Sequence, residues 1–304
     1  MKQVLVLVGP TAIGKTDLSL AFAEAFNGEI ISGDSVQIYK GLDIGSAKIT
    51  SEEMKGIPHY LIDELSVTEE YSVYLFQQLA RKKIEEIIAK GKLPIIVGGT
   101  GLYIKACLYD YVFSEEETDE RKVKEYEELS NEELAEKLMQ VDPEALETIH
   151  TNNRKRLIRA LVIAESGTET KTDRIQKQEH ELLYDALIIG LTTERTQLYE
   201  RINQRVLQMM EKGLKEEVNS LFYQYPLLFD FRSMHGIGYK EWKEYFQENQ
   251  SEEKTISLIQ QHSRNFAKRQ YTWFNNQMSV KWYDIDENYQ EELFNEIKEW
   301  HRGT

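Results

Sequence analysis

Residues 9–16 read GPTAIGKT and follow the apolar run Val4–Val8. Gly9, Gly14, Lys15 and Thr16 meet the spacing G-x-x-x-x-G-K-[ST], whose chemistry is to hold linked phosphates. The glycines let the backbone curl until its N–H groups point at phosphate oxygens. Lys15 adds a mobile positive charge, and the Thr16 hydroxyl is the expected protein ligand for Mg²⁺. The whole run Gly9, Pro10, Thr11, Ala12, Ile13, Gly14, Lys15 and Thr16 is thus the expected cradle for two or more phosphates. The loop alone leaves open whether those phosphates belong to ATP.

Other residues with chemical potential cluster in three places. Asp34, in the run SGDSVQIYKGLDIGSAK over residues 32–48, is expected beside the phosphate loop, as a water-mediated Mg²⁺ ligand or as a general base. Ser35, Gln37 and Tyr39 would line the same cleft, although a turn rich in Gly, Asp and Ser needs no function. Gly98-Gly99-Thr100-Gly101 ends another apolar run; glycines admit a ligand close to the backbone, and the Thr100 hydroxyl can bond it. An ATPase usually carries a Walker-B Asp at such a strand end, so glycine and threonine there argue against an ordinary ATPase unless another strand supplies the acid. Arg201 and Arg205, four apart, share a helix face. One can clamp a diphosphate, whereas a surface pairing with a nearby Glu is the plainer reading. His59 and Asp63 read as structural rather than as a metal pair.

Two segments carry positive charge. Asn152–Ala160 holds Arg154, Lys155, Arg156 and Arg159 within about two helical turns. Ser263–Phe274 interleaves Arg264, Lys268 and Arg269 with Phe266, Tyr271, Trp273 and Phe274. Cations meet a phosphate backbone and aromatic rings accept an unstacked base; the plain alternative is a core stripe with a solvated basic face. On a chain of net charge −15, the two together point to RNA. That charge is unevenly spread: Ser114–His150 holds 14 acidic and 4 basic residues, a net of −10, so the remainder is free to carry basic surfaces.

These groups need elements to hold them. Leu18, Ala21, Phe22, Ala25 and Phe26 recur at helical spacing, with Gly28 as the expected stop, so a helix N-terminus faces the phosphates. Glu29–Ser32 reads as a strand, Val73–Lys90 as an amphipathic helix stopped by Gly91, and Leu93–Val97 as a strand buried on both faces. This alternation predicts a parallel α/β sheet with helices on both sides and ligands at the carboxyl ends of its strands. Helix-favouring acidic sequence follows, including Asn131–Gln140 and Pro143–His150, then a polar stretch, Thr168–Glu181. Tyr184–Leu191 is again strand-like, and Arg195–Lys212, Leu214–Gln224 and Glu252–Asn275 read as helices. The predicted organisation is a core of residues 1–113 and 184–304 interrupted by a helical insertion over 114–183.

Composition bounds the rest. The 304 residues suffice for a full core. Cys107 is the only cysteine, which excludes an internal disulfide and a cysteine zinc cluster and suits a reducing, cytoplasmic setting. No run approaches the ~20 apolar residues of a membrane span, and the short N-terminal apolar run does not read as a signal peptide. A monomer is expected.

With these residues assembled, the chain closely resembles the bacterial tRNA dimethylallyltransferases, also called tRNA isopentenyltransferases. The likeness lies in GPTAIGKT at 9–16, GDSVQIYKGLDIGSAK at 33–48, PHYLID at 58–63, GGTGLY at 98–103, RLIRAL at 156–161, RINQRVLQMMEKGLKEEV at 201–218, GIGYKEW at 236–242 and AKRQYTWF at 267–274. The resemblance implies transfer of a dimethylallyl group from dimethylallyl diphosphate to N6 of the adenosine 3′-adjacent to a tRNA anticodon, with Mg²⁺ assisting departure of diphosphate. It makes Asp34 the general base and Thr11–Thr16 diphosphate ligands, with Thr100 and Arg205 around the reacting groups. It implies tRNA contacts at Asp34, Ser35, Val36 and Gln37, at Lys155, Arg156 and Arg159, at Gly236, Gly238, Tyr239 and Lys240, and at Lys268, Arg269 and Trp273. It implies a P-loop, nucleotide-kinase-like α/β core with a helical insertion that would clasp the anticodon stem-loop. Departures from the usual pattern fall at Asn152-Asn153-Arg154 and at His59. Two other readings stay open: a phosphate-loop kinase or ATPase acting on a small molecule, and an RNA-binding protein switched by a nucleotide.

Overall fold

Six strands run in one direction through the centre of the larger unit. The computed structural model describes residues 1–111, 113, 120–165, 170, 172, 181–285 and 288–303. The strands are β1 (Gln3–Val8), β2 (Gly28–Ser32), β3 (His59–Tyr60), β4 (Leu93–Gly98), β5 (Asp185–Thr192) and β6 (Lys281–Asp284), in the order β3-β2-β4-β1-β5-β6 and parallel throughout. β1 is central, with Leu5 beside Ile95 on one side and Leu187 on the other. Val4 to Val8 are fully buried, as a strand covered on both faces requires.

Helices α1 (Lys15–Ala25), α2 (Val73–Ala89) and α3 (Gly101–Leu108) follow the first strands; α8 (Arg195–Glu211), α9 (Leu214–Gln224), the single turn α10 (Lys243–Phe246), α11 (Glu252–Gln277) and α12 (Tyr289–Arg302) follow β5. Local chemistry sets their ends. The Ser72 hydroxyl accepts from Leu75 N–H at 3.1 Å to open α2, and Gly91 at φ 70° closes it. The predicted stop at Gly28 moves by one residue. Asn27 takes the left-handed turn at φ 50°, and Gly28 opens β2 by pairing with Leu93, close against Ile95, whose Cδ1 would lie 2.5 Å from a Cβ there. Strands β3 and β6 and helix α12 were not anticipated: two and four residues carry too little periodicity, and α12 buries only Leu293 and Ile297.

Asp110–Glu181 forms a second compact unit, while Met1–Tyr109 and Leu182–Thr304 form the first. Helices α4 (Glu120–Glu127), α5 (Asn131–Val141), α6 (Ala145–Thr148) and α7 (Arg154–Glu165) make up the second. It has its own core, including Tyr126, Leu134, Leu138, Leu157 and Leu161. Ser130 and Glu133 close a capping box on α5. The helix predicted over Pro143–His150 shrinks to the single turn α6, and the polar stretch predicted from Thr168 lies largely outside the described residues. No helix among the described residues is long and apolar enough to cross a membrane.

Candidate active site

The loops leaving β1, β2 and β4 meet at the carboxyl edge of the sheet. In the phosphate loop Gly9 (φ 144°) and Gly14 (φ 95°) hold positive φ, as does Ala12 at φ 64°. A Cβ on Gly9 would stand 3.0 Å from the Leu191 carbonyl oxygen, so β5 backs the loop directly. Lys15 Nζ curls over it, donating to the carbonyls of Gly9 (2.9 Å) and Pro10 (2.6 Å). Thr16 is exposed in the first turn of α1, at the positive end of that helix.

Beside it, the β2 and β4 exits are stitched together. Gly33 N–H donates to Val97 O at 2.7 Å, and Thr100 N–H to Gly33 O at 3.4 Å. Asp34 follows at once. Its Oδ1 accepts from the N–H groups of Val36 (2.7 Å) and Gln37 (3.3 Å), a local turn that orients the carboxylate. Thr100 caps the start of α3 through its carbonyl, which accepts from Tyr103 and Ile104 N–H, and its side chain makes no capping bond.

Lys15, Asp34 and Arg205 lie within electrostatic reach of one another. Burial, then the neighbouring Arg205 charge, lowers the Lys15 pKa to about 7, with Asp34 opposing. Burial also lowers the pKa of Arg205, again opposed by Asp34. Arg205 is partly buried on α8, whereas Arg201 on the same helix is exposed. Tyr71 and Tyr103 also feel Asp34. Burial pushes the Tyr103 hydroxyl up to about 12. Tyr71 lies well above the ordinary range for the same reason, its Oη buried without a hydrogen-bond partner.

Other expected residues divide by exposure. Lys155, Arg156 and Arg159 are exposed on α7, while Arg154 turns inward to the carbonyls of Tyr126 and Glu127 and to Asn131. Lys240, Lys268 and Arg269 are exposed; Ser35, Val36, Gln37 and Gly236 are partly so. Trp273 packs on the start of α3, where a Cβ on Gly101 would lie 2.1 Å from its ring, and Phe274 is core. Gly238 and Tyr239 are buried. A direct tRNA contact by the Tyr239 side chain does not suit this placement, because its hydroxyl is held by Glu217 and Ser46. His59 Nδ1 bonds Ile57 O and Asp63 pairs with Lys48, and no cluster of three metal-ligating side chains exists among the described residues.

Two residues of the site escaped the sequence reading. Gln270, buried on α11, donates from Nε2 to Gly99 O at 3.0 Å and braces the glycine turn across 171 residues of chain. Glu217 on α9 holds residues 43–45. Both stand inside quoted motifs, which is the only signal the sequence offered.

A family model described as IPP transferase matches residues 37–277. A tRNA dimethylallyltransferase of Bacillus anthracis is 51% identical over 288 residues, 93% of this chain and 91% of that one. Its counterpart in Bacillus cereus strain 03BB102 is also 51% identical, over 93% of this chain and 90% of that one. Among solved structures, a tRNA delta(2)-isopentenylpyrophosphate transferase from Staphylococcus epidermidis aligns with TM-score 0.73 and 44% identity, covering 98% of this chain and 100% of that one. A eukaryotic dimethylallyltransferase acting on tRNA aligns with TM-score 0.85 and 26% identity, covering 98% of this chain and 79% of the other. A site of phosphate loop, glycine turn and converging charges, set on a sheet shared with these enzymes, belongs to a transferase: this chain is a member of the tRNA dimethylallyltransferase family.

Proposed function

We propose that the protein transfers a dimethylallyl group from dimethylallyl diphosphate to N6 of the adenosine 3′-adjacent to a tRNA anticodon, giving N6-isopentenyladenosine and diphosphate. The observation that carries this reading is the phosphate loop with Lys15 curled over it, set at one sheet edge with the turn that carries Asp34, where the Arg205 charge is also felt. Two cations suit a departing diphosphate, and one carboxylate suits a proton leaving the nucleophile. The amine of adenine is a poor nucleophile because its lone pair is conjugated into the ring. The base must therefore leave its stack and be held in line with the allylic carbon.

As the N6–carbon bond forms, the allylic carbon–oxygen bond breaks and its electron pair leaves with the diphosphate. Asp34 takes the N6 proton. The N–H groups of the loop, Lys15 and Arg205 stabilise the charge on the leaving group, and Thr100 bonds around the reacting groups. The residues present fit Mg²⁺ of a particular kind. Thr16 supplies one exposed hydroxyl, and no group of three or more His, Cys, Asp or Glu side chains that could hold a metal exists among the described residues, which suits an ion that arrives on the diphosphate and keeps most of its waters. Bound there, Mg²⁺ would offset diphosphate charge.

Lys155, Arg156 and Arg159 on one unit and Lys240, Lys268 and Arg269 on the other would meet tRNA phosphates, and the second unit would clasp the anticodon stem-loop. The enzyme would act as a monomer in the cytoplasm. The test is mass spectrometry of an unmodified anticodon stem-loop after incubation with the protein, Mg²⁺ and dimethylallyl diphosphate. A gain of one dimethylallyl group on that adenosine is expected. No gain, together with ATP turnover on a small-molecule acceptor, would establish the kinase reading instead.

A further inference from the structure

Glu217, Tyr239 and Ser46 form a chain of hydrogen bonds that ends on the turn carrying Asp34. Glu217 sits in the first turn of α9. Its Oε2 accepts from the backbone N–H groups of Asp43 (3.0 Å) and Ile44 (2.7 Å), and its Oε1 from Gly45 N–H (3.2 Å) and from the Tyr239 hydroxyl (2.7 Å). Tyr239 Oη accepts in turn from Ser46 N–H at 3.1 Å. The Ser46 carbonyl accepts from Gln37 Nε2 at 3.3 Å, and Gln37 Oε1 accepts from Ser32 Oγ at 3.0 Å. Ser32 Oγ is also the acceptor for Asp34 N–H at 3.4 Å. Around Tyr239 the packing is close: a Cβ on Gly45 would lie 2.5 Å from the Tyr239 ring, and one on Gly238 would lie 3.0 Å from the Gly45 carbonyl.

A carbonyl oxygen only accepts, so Ser46 decides which end of the Gln37 amide faces it. The nitrogen must turn to Ser46, and the oxygen is then presented to Ser32. Each end keeps one unused valence, an N–H at one and a lone pair at the other. A side-chain amide offering a donor and an acceptor together is the group that pairs with an adenine edge. We propose that Glu217 and Tyr239 are positioning residues for the target base: they fix Ser46, and through it the Gln37 amide beside Asp34. This role rests on the adenosine-transfer reading above, and it replaces the surface contact expected for Tyr239.

The test compares Tyr239→Phe, Glu217→Gln, Gln37→Leu and the double variant Gln37→Leu/Tyr239→Phe, in steady-state transfer to an anticodon stem-loop, with thermal unfolding of each. Tyr239→Phe removes only the hydroxyl. It is expected to lower kcat/KM for the stem-loop about tenfold while leaving KM for dimethylallyl diphosphate within about twofold of wild type. Gln37→Leu is expected to cost a similar factor, and the double variant no more than Gln37→Leu alone, since Tyr239 acts through Gln37. Glu217→Gln keeps the volume and is expected to act in the same direction, which covers the case in which Tyr239→Phe fails to fold. Losses that multiply in the double variant, or a Tyr239→Phe loss matched by a weaker diphosphate KM, would overturn the positioning role alone. A wild-type protein that yields no product would overturn the functional reading first.

Discussion

Asp34 and Lys15 carry the sharpest consequences at the scale of single residues. Asp34→Ala is expected to lower transfer about 10²–10⁴-fold, the usual worth of a positioned base, with affinity for the stem-loop within about twofold of wild type; retained turnover in single-turnover assays would remove the base assignment. Lys15 makes pH a second probe. Its pKa in the folded protein is about 7 against 10.5 in a free side chain, so between those values the unfolded chain holds a proton that the folded one lacks, and stability rises with pH across that window. A bound diphosphate favours the charged amine. Binding is therefore expected to take up a proton at pH 8 and to weaken as pH rises above about 7, as calorimetry in buffers of different ionisation enthalpy reads directly. The phosphate loop and Asp34 were legible in the sequence because their chemistry is local: one lies within eight consecutive residues, and the other follows a strand. Gln270 and Glu217 were not, because each acquires its role from a partner more than 150 residues away.

Between elements, the site depends on how tightly the strand ends abut. A Cβ on Gly98 would lie 2.4 Å from the Gly33 carbonyl oxygen, with the Gly33 carbonyl carbon and Cα within 2.7 Å. Both partners are backbone, so neither can swing aside. Gly98→Ala is expected to destabilise the protein by about 1–3 kcal/mol and to lower transfer as well, since the residue pushed is the one before Asp34. Urea unfolding and kcat of the same variant check the two effects. Gly14 offers the contrast: nothing lies within 4 Å of its Cβ position, and its demand is the φ of 95° alone. Long periodic helices and the doubly covered strands were readable from pattern, with ends shifted by a residue or two. The two-residue β3 and the edge strand β6 were not, since pairing with β2 and β5 defines them rather than any pattern of their own.

For the molecule as a whole, a net charge of −15 coexists with exposed cations on each unit. Affinity for the stem-loop is expected to fall with salt. Replacing any one of Lys155, Arg156, Arg159, Lys268 or Arg269 by Ala should reduce the log–log salt slope by roughly 0.7–0.9 wherever that side chain meets a phosphate. Filter binding across a salt series identifies which of the five do so, and a wild-type slope near zero would exclude a phosphate-contact mode altogether. The sheet order carries a further consequence, one of time. β1 precedes the other five strands of the sheet, yet its neighbours are β4 and β5, the latter at residues 185–192. At roughly 5–20 residues per second, the ribosome needs on the order of 10–40 s after making the phosphate loop before the second flank of β1 exists. Throughout that interval Val4–Val8, an uncharged and strongly β-forming run, waits with an open edge, guarded on its N-terminal side by Lys2. The segment that anchors the chemistry in the finished enzyme is thus one that waits longest for its second neighbour while the enzyme is being made.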